Sequence, residues 1–115
     1  MSKNCLLIYA EQLATDAELL CQNIKAPSNT LFQLRKSSSS VYANIREAQY
    51  AHGKADFISK LQIALKEANE TGYWLELLYK TNYITETEYK ALDTACTSIR
   101  VMLISSINTA KENAK

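Results

Sequence analysis

The sequence has very little glycine and proline: two glycines and one proline in 115 residues. Sheets and barrels need many tight turns and bulges, which these two residue types usually supply. The shortage argues against all-β architectures, and a composition that is 47% hydrophobic and 22% charged is ordinary for a globular protein. We therefore expect an all-α protein, and the length predicts a single domain over residues 1–115.

The chain also lacks an excess of charge and a long apolar run. Its formal net charge is +1, which provides no strong overall attraction for nucleic acid or acidic lipid. No segment approaches the roughly 20 apolar residues that cross a bilayer, and the N-terminal apolar run is too short for a signal peptide. We expect a cytoplasmic protein with no membrane partner.

The residue types that usually perform catalysis are scarce. The three cysteines, Cys5, Cys21 and Cys96, are too far apart in sequence for a metal or redox motif, and their odd number favours a reducing compartment. The single histidine, His52, falls in a predicted loop, where no cysteine is close to it in sequence. We therefore predict that the protein is not an enzyme, with no catalytic residue, cofactor, metal or small-molecule substrate.

Apolar residues recur at helical spacing in four consecutive segments. Steps of three and four residues keep side chains on one helix face. The four stripes are Leu6, Ala10, Leu13, Ala17, Leu20, Ile24; then Leu31, Leu34, Ser38, Val41, Ile45, Ala48; then Phe57, Leu61, Ala64, Ala68, Thr71, Leu75, Leu78; and finally Tyr89, Leu92, Cys96, Ile99, Leu103, Ser106, Ala110.

Breaks between the stripes predict short loops. Pro27 ends the first helix, and Ser28 or Asn29 is a good N-cap for the second. Gly53 suits the left-handed conformation that often follows a helix, and Asp56 can cap the next helix. Thr85 and Glu88 have the spacing of a capping box. Four helices joined by short loops predict an up-down-up-down antiparallel four-helix bundle.

A run of four serines, residues 37–40, interrupts the second stripe. Serine-rich tracts are often flexible linkers. This run lies in phase with Leu34 before it and Val41 after it, so we interpret it as helical, with small side chains that allow a close approach of helices.

Two polar pairs have i, i+3 spacing: Asn44 with Glu47, and Glu67 with Glu70. Inward-facing carboxylates of a bundle can hold two metal ions, but such sites usually include a Glu-x-x-His motif on each of two helices. The chain has no such motif. The pairs are better interpreted as polar residues that bond to each other, to Arg46 or to a partner subunit.

Aromatic residues are concentrated near the end of the third helix. Tyr73, Trp74, Leu77 and Tyr79 extend its apolar surface beyond one stripe. They either fill the core of one bundle or form an interface between subunits, where Trp and Tyr are enriched. A helix that is apolar over more than one stripe favours the interface.

Two segments resemble a known bacterial family. Residues 40–48 (SVYANIREA) are similar to the second-helix signature of the four-helix-bundle proteins encoded by intervening sequences in 23S ribosomal RNA genes: Asn44, Ile45 and Glu47 match, and Ala48 replaces the usual glycine. Residues 56–75 resemble the third helix of that family, with Phe57, Glu67, Glu70, Thr71 and the pair Trp74 and Leu75.

The resemblance implies a bundle that assembles into a closed ring, commonly of five subunits. Relatives of the family include the accessory variability determinant of diversity-generating retroelements, which binds a reverse transcriptase and nucleic acid. RNA or a reverse-transcriptase-like protein is therefore an expected partner. Copies of Arg35, Lys36 and Arg46 around a ring would form a basic patch that the net charge conceals.

Two functions remain open from the sequence. The first is a non-enzymatic, homo-oligomeric accessory protein that binds a protein or RNA partner. The alternative is a protein-interaction scaffold that binds no nucleic acid, which agrees with the net charge of +1. The 13 basic residues are scattered and nearly balanced by 12 acidic ones, so any RNA binding should be weak and sensitive to salt.

Overall fold

Four helices make up nearly all of the computed structural model, which describes residues 4–113. They are α1 (Asn4–Asn23), α2 (Ser28–Ala48), α3 (Lys54–Lys80) and α4 (Glu86–Asn113). The ends of the predicted domain, residues 1–3 and 114–115, lie outside the described part. One hydrophobic core receives side chains from all four helices.

The predicted stripes form most of this core, with one correction on α4, where Ile107 is buried and the predicted Ser106 is not. Every stripe residue of α2 from Leu34 onwards is buried, and on α3 the buried residues are Leu61, Ala64, Ala68, Thr71, Leu75 and Leu78. Stripe residues at the ends of the bundle, such as Leu31 and Phe57, are only partly buried because fewer neighbours cover them. Ile24 follows the last residue of α1 and still packs against the core.

The helices pack in chain order around the core. Among the described residues, the backbone of α1 comes close to those of α2 and α4, and the backbone of α3 comes close to the same two helices, whereas the backbones of diagonal partners lie farther apart. Short loops between long helices make consecutive helices antiparallel. The prediction of an all-α four-helix bundle is confirmed.

Small side chains line the contact between α2 and α3. Ser37, Ser38 and Thr71 are buried, and the hydroxyls of Ser37 and Thr71 are hydrogen-bonded at 2.9 Å. Each of these two hydroxyls also lies within hydrogen-bonding distance of a backbone carbonyl on its own helix. The serine run is therefore helical, as predicted, and its buried members satisfy their polar atoms.

One predicted helix start is correct and two details of the helix ends are wrong. The Thr85 backbone N–H donates to Glu88, and the Glu88 N–H donates to the Thr85 hydroxyl, which is the predicted capping box. At α2, neither Ser28 nor Asn29 is the cap. Pro27 holds that position, and its carbonyl accepts the Leu31 N–H because proline still offers an acceptor.

The left-handed residue after a helix is also not the predicted one. Gly53 has φ −178°, an extended conformation that precedes α3, and the Asp56 carboxylate accepts the His52 N–H. The positive φ belongs to Asn82, at 68°. There Tyr83 donates to the Leu78 carbonyl and Asn82 to the Tyr79 carbonyl, so asparagine closes α3 in a Schellman motif.

Cys96 belongs to the core. Its thiol contacts the Ala68 carbonyl at 3.0 Å, and burial raises its pKa to about 11. A thiol with so high a pKa is almost entirely protonated at neutral pH and is a poor nucleophile.

Across residues 4–113, none of the helices has the length and apolarity to cross a membrane.

Candidate interaction surfaces

The two residues of the first polar pair, Asn44 and Glu47, have different partners. Glu47 of α2 forms a salt bridge with Lys60 of α3 at 3.4 Å. Asn44 donates to the backbone carbonyl of Ser40 at 2.8 Å and to its hydroxyl at 3.0 Å, so its amide bonds within α2. The first polar pair therefore stabilises the helix and its contact with α3.

The second polar pair forms a small carboxyl cluster on α3. The Trp74 indole N–H donates to Glu70 at 3.4 Å. Partial burial, with a smaller effect from the neighbouring Glu70, raises the pKa of Glu67 above its ordinary value of 4.5. The positive charges of Lys66 and Lys36 lower the pKa of Glu67, but not by enough to cancel this rise.

Replacing Glu67 with glutamine should reduce the pH dependence of stability. Because the folded chain holds the Glu67 proton more tightly than the unfolded chain, protonation stabilises the fold below pH 4.5. That contribution is lost as pH rises from 4.5 through the higher folded pKa. We expect Glu67→Gln to be the more stable protein at neutral pH, measured by urea unfolding over this range. The control is Glu112→Gln, at the exposed end of α4. If stability depended on pH in the same way in wild type and in Glu67→Gln, the raised pKa of Glu67 would be contradicted.

The carboxylates of the polar pairs are not part of a metal-binding group. In residues 4–113, no three His, Cys, Asp or Glu side chains are placed to hold one metal ion. His52 is exposed in the turn between α2 and α3. The polar pairs therefore have the geometry of packing and surface contacts.

The four residues predicted for an oligomer interface differ in exposure and in their contacts. Tyr73 is 54% exposed and contacts the Trp74 ring edge-on, with centroids 4.7 Å apart. Trp74 itself packs against the core, as does Tyr79, which stacks on Tyr89 of α4 at 4.7 Å. Leu77 is half-buried. Of the four, Tyr73 has the most surface free for a partner.

The three cations predicted for nucleic-acid contact have different surroundings. Arg35 is bound by Glu18 of α1 through two hydrogen bonds of 2.9 and 3.0 Å, so its charge is compensated. Lys36 and Arg46 are exposed and form no salt bridge with another residue in 4–113. The Arg46 guanidinium lies 5.5 Å from the centre of the Tyr42 ring, a cation–π distance.

Lys36 and Arg46 belong to a longer exposed face of α2. We call it the α2 outer face; its residues, spaced by three or four positions, are Phe32, Lys36, Ser39, Ala43, Arg46 and Tyr50. Phe32 is 58% exposed and Tyr50, in the turn just after α2, is 84% exposed. The face thus has two exposed cations between two exposed aromatic rings, and the helix from Phe32 to Ala48, its last residue, is about 24 Å long.

Sequence reasoning missed the two aromatic rings. Phe32 and Tyr50 lie opposite the buried stripe, and that spacing was the signal that could have identified them. Helix α2 also contains Arg35, Lys36 and Arg46 against a single acid, Glu47, so it is the basic element of a nearly neutral chain. Aromatic rings and cations on one face are a combination suited to binding single-stranded nucleic acid.

Comparison with known proteins identifies the family. The family model described as 23S rRNA-intervening sequence protein matches residues 9–105. A comparison with curated protein sequences gives no match. A crystal structure of a protein with unknown function from the S23 ribosomal protein family of Bacteroides thetaiotaomicron VPI-5482 is similar, with 41% sequence identity and a TM-score of 0.88; the match covers 94% of this chain and 99% of that one. The chain belongs to the 23S rRNA-intervening sequence protein family.

Proposed function

We propose that this chain is a non-enzymatic accessory protein that assembles into a closed homo-oligomeric ring, with five subunits as the family resemblance implies. Single-stranded RNA binds the α2 outer face of each subunit. The observation that carries the proposal is the exposed pair Lys36 and Arg46, neither of which forms a salt bridge with another residue in 4–113, between the exposed rings of Phe32 and Tyr50. The free thiols of Cys5, Cys21 and Cys96 agree with a cytoplasmic location.

Exposed apolar side chains support self-assembly. Ile8 and Leu19 of α1 are 60% and 49% exposed, and Val101 and Ile104 of α4 are 62% and 48% exposed. Scattered apolar residues are normal on a surface, but an adjacent exposed pair such as Val101 and Ile104 favours contact with another subunit. Light scattering at tens of micromolar protein tests this arm. A mass equal to the 12.9 kDa chain would refute the ring.

The chemistry of the α2 outer face supports RNA as the partner. Base stacking on an aromatic ring contributes about 1–3 kcal/mol per base, whatever the base. Lysine and arginine contact phosphates, and Ser39 between them offers a hydroxyl that can do the same. An oligomeric ring would present this face once per subunit, so the weak contacts of single subunits would add up along one RNA strand.

Removing the two cations should weaken RNA binding strongly. We expect the double variant Lys36→Gln with Arg46→Gln to bind short labelled single-stranded RNA at least about tenfold more weakly at low salt, with the salt slope reduced by about 1.4 for each chain engaged. Filter binding at several salt concentrations measures both quantities.

The control variant removes the same number of positive charges from another part of the surface. Lys80→Gln with Lys90→Gln also deletes two positive charges, from cations already paired with Glu76 and Glu86. We expect this variant to bind RNA nearly as well as wild type. Equal losses in the two variants would mean that net charge, and not the α2 outer face, determines binding.

A protein-interaction scaffold without nucleic acid is the second candidate. The net charge of +1 favours it, because the basic face of α2 is balanced by acidic residues elsewhere. A reverse-transcriptase-like protein would be one such partner. An oligomer that fails to bind RNA even at low salt would favour this function over the first.

A further inference from the structure

A groove between α3 and α4 is lined mainly by apolar surface. It has a volume of about 510 Å³. Leu65 of α3 lines it together with Val101 and Ile104 of α4, which are 62% and 48% exposed. Each helix contributes about two turns to the groove, from residue 62 to 69 and from 97 to 104, a length of about 10 Å.

The ionisable residues that line this groove are both cationic, Lys66 and Arg100. The Arg100 guanidinium donates to the Asn69 amide oxygen at 3.1 Å and to the Thr97 hydroxyl at 3.4 Å, both neutral acceptors. No acidic residue lines the groove. An occupant of complementary chemistry is therefore apolar in the middle and acidic at its edge.

Helix α1 has this chemistry. Its acids are Glu11, Asp16 and Glu18, and it contains no lysine or arginine. Ile8, Thr15 and Leu19 are exposed at spacings of seven and four residues, which places them on one face, and Glu11 is exposed one turn after Ile8. The distance along α1 from Ile8 to Thr15 is about 10 Å, the length of the groove.

The α2 outer face is a second candidate occupant of the groove, but its charge does not match. The α2 outer face has Phe32 and Tyr50, but its cations Lys36 and Arg46 would approach Lys66 and Arg100. Like charges brought together at an interface reduce affinity. Within the chain, Glu18 is already bound to Arg35, whereas Glu11 and Asp16 form no salt bridge with residues in 4–113.

We propose that the exposed face of α1 from a second copy of this chain binds in the α3–α4 groove, with Ile8 against the apolar floor and Glu11 near the cationic edge. This inference rests on the homo-oligomer proposed above and assigns its interface. The two surfaces are different parts of one chain, so each copy donates α1 to one neighbour and receives α1 from another. Such a head-to-tail contact closes into a ring when the rotation between copies permits.

Two single variants test the interface from its two sides. Ile8→Glu adds a charge to the face of α1, and Val101→Glu adds one to the groove. Both positions are more than half exposed, at 60% and 62%, so the fold should survive, which circular dichroism checks. We expect each variant alone to have the mass of one 12.9 kDa chain by light scattering, under conditions in which wild type is oligomeric.

Mixing the two variants gives the sharper result. Ile8→Glu keeps an intact groove and Val101→Glu keeps an intact α1, so one productive contact remains between them. We expect a one-to-one dimer in the mixture at high concentration and no larger species, because the second contact of each chain is blocked. Ile63→Glu, which places the same charge on an exposed part of α3 outside the groove, should assemble as wild type does.

The outcomes separate this inference from the proposed function. Monomeric wild-type protein overturns both. An oligomeric wild type whose Ile8→Glu and Val101→Glu variants keep the same mass overturns the interface and leaves the ring. Two monomeric variants that do not pair on mixing overturn the head-to-tail arrangement, because a contact between α1 and the groove requires complementation.

Discussion

Leu103→Ala should lower the free energy of unfolding by about 2–5 kcal/mol, the usual cost of truncating a buried leucine. Leu103 of α4 is fully buried and packs in the core shared by the four helices. Alanine would remove apolar contacts and leave a cavity that rigid helices fill only in part. Urea or thermal unfolding of the purified variant measures the loss, which should lower the melting temperature by several degrees for each kcal/mol.

Ile63→Ala is the matched control for Leu103→Ala. Ile63 is 40% exposed on α3, so truncation there should change stability by much less, within about 0.5 kcal/mol. Comparable losses in the two variants would show that the assignment of the buried face is wrong. Measurements at one protein concentration keep any effect of assembly constant between the variants.

Ser37→Leu should also be strongly destabilising, by about 2–4 kcal/mol from overpacking and a lost buried hydrogen bond. Ser37 is 1% exposed between α2 and α3, and its hydroxyl is 2.9 Å from that of Thr71. A leucine there would push the helices apart or adopt a strained rotamer, and it would leave Thr71 without its partner on α2. Chemical unfolding gives the magnitude.

Ser39→Leu separates packing from helix propensity. Ser39 is exposed two residues along the same helix, and leucine is the better helix former. We expect this variant to be as stable as wild type or slightly more stable. If Ser37→Leu were equally well tolerated, the close α2–α3 contact would not be the reason for small residues in the serine run.

The helices and their buried faces followed from the sequence because they depend on local periodicity. Leu34, Val41 and Ile45 recur at helical spacing, and a helix with one apolar face can bury it only against other helices. The same argument correctly kept residues 37–40 in α2 despite four consecutive serines. The capping box at Thr85 was equally local, since its two partners lie three residues apart.

Details at the other helix ends were not predictable in the same way. Several residues near a terminus can satisfy the same backbone groups, so Pro27 replaced Ser28 or Asn29, and Asn82 adopted the left-handed conformation expected of Gly53. These choices depend on the direction that the loop must take to reach the next helix, which is decided by packing.

The candidate surfaces were predicted only in part. The sequence indicated Lys36 and Arg46, but it could not show that Arg35, adjacent to Lys36, is compensated by Glu18, which is 17 positions away in sequence. Similarly, the sequence predicted an interface role for Tyr79, but it could not show that this ring is partly buried and stacks on Tyr89 of α4. Whether a charged group or an aromatic ring is available to a partner depends on its neighbours on other helices.

By itself the sequence determined four helices, their apolar faces, their antiparallel order and the family, because each depends on local spacing, on loop length or on short segments that resemble the family. Only the tertiary structure decided which polar and aromatic side chains are engaged: Ser37 with Thr71, Glu47 with Lys60, Tyr79 with Tyr89. It also decided that Val101 and Ile104 line an apolar groove together with Lys66 and Arg100. The physical reason is that helical periodicity acts over a few residues, whereas these contacts join residues on different helices whose relative rotation and height depend on the packing of the whole core.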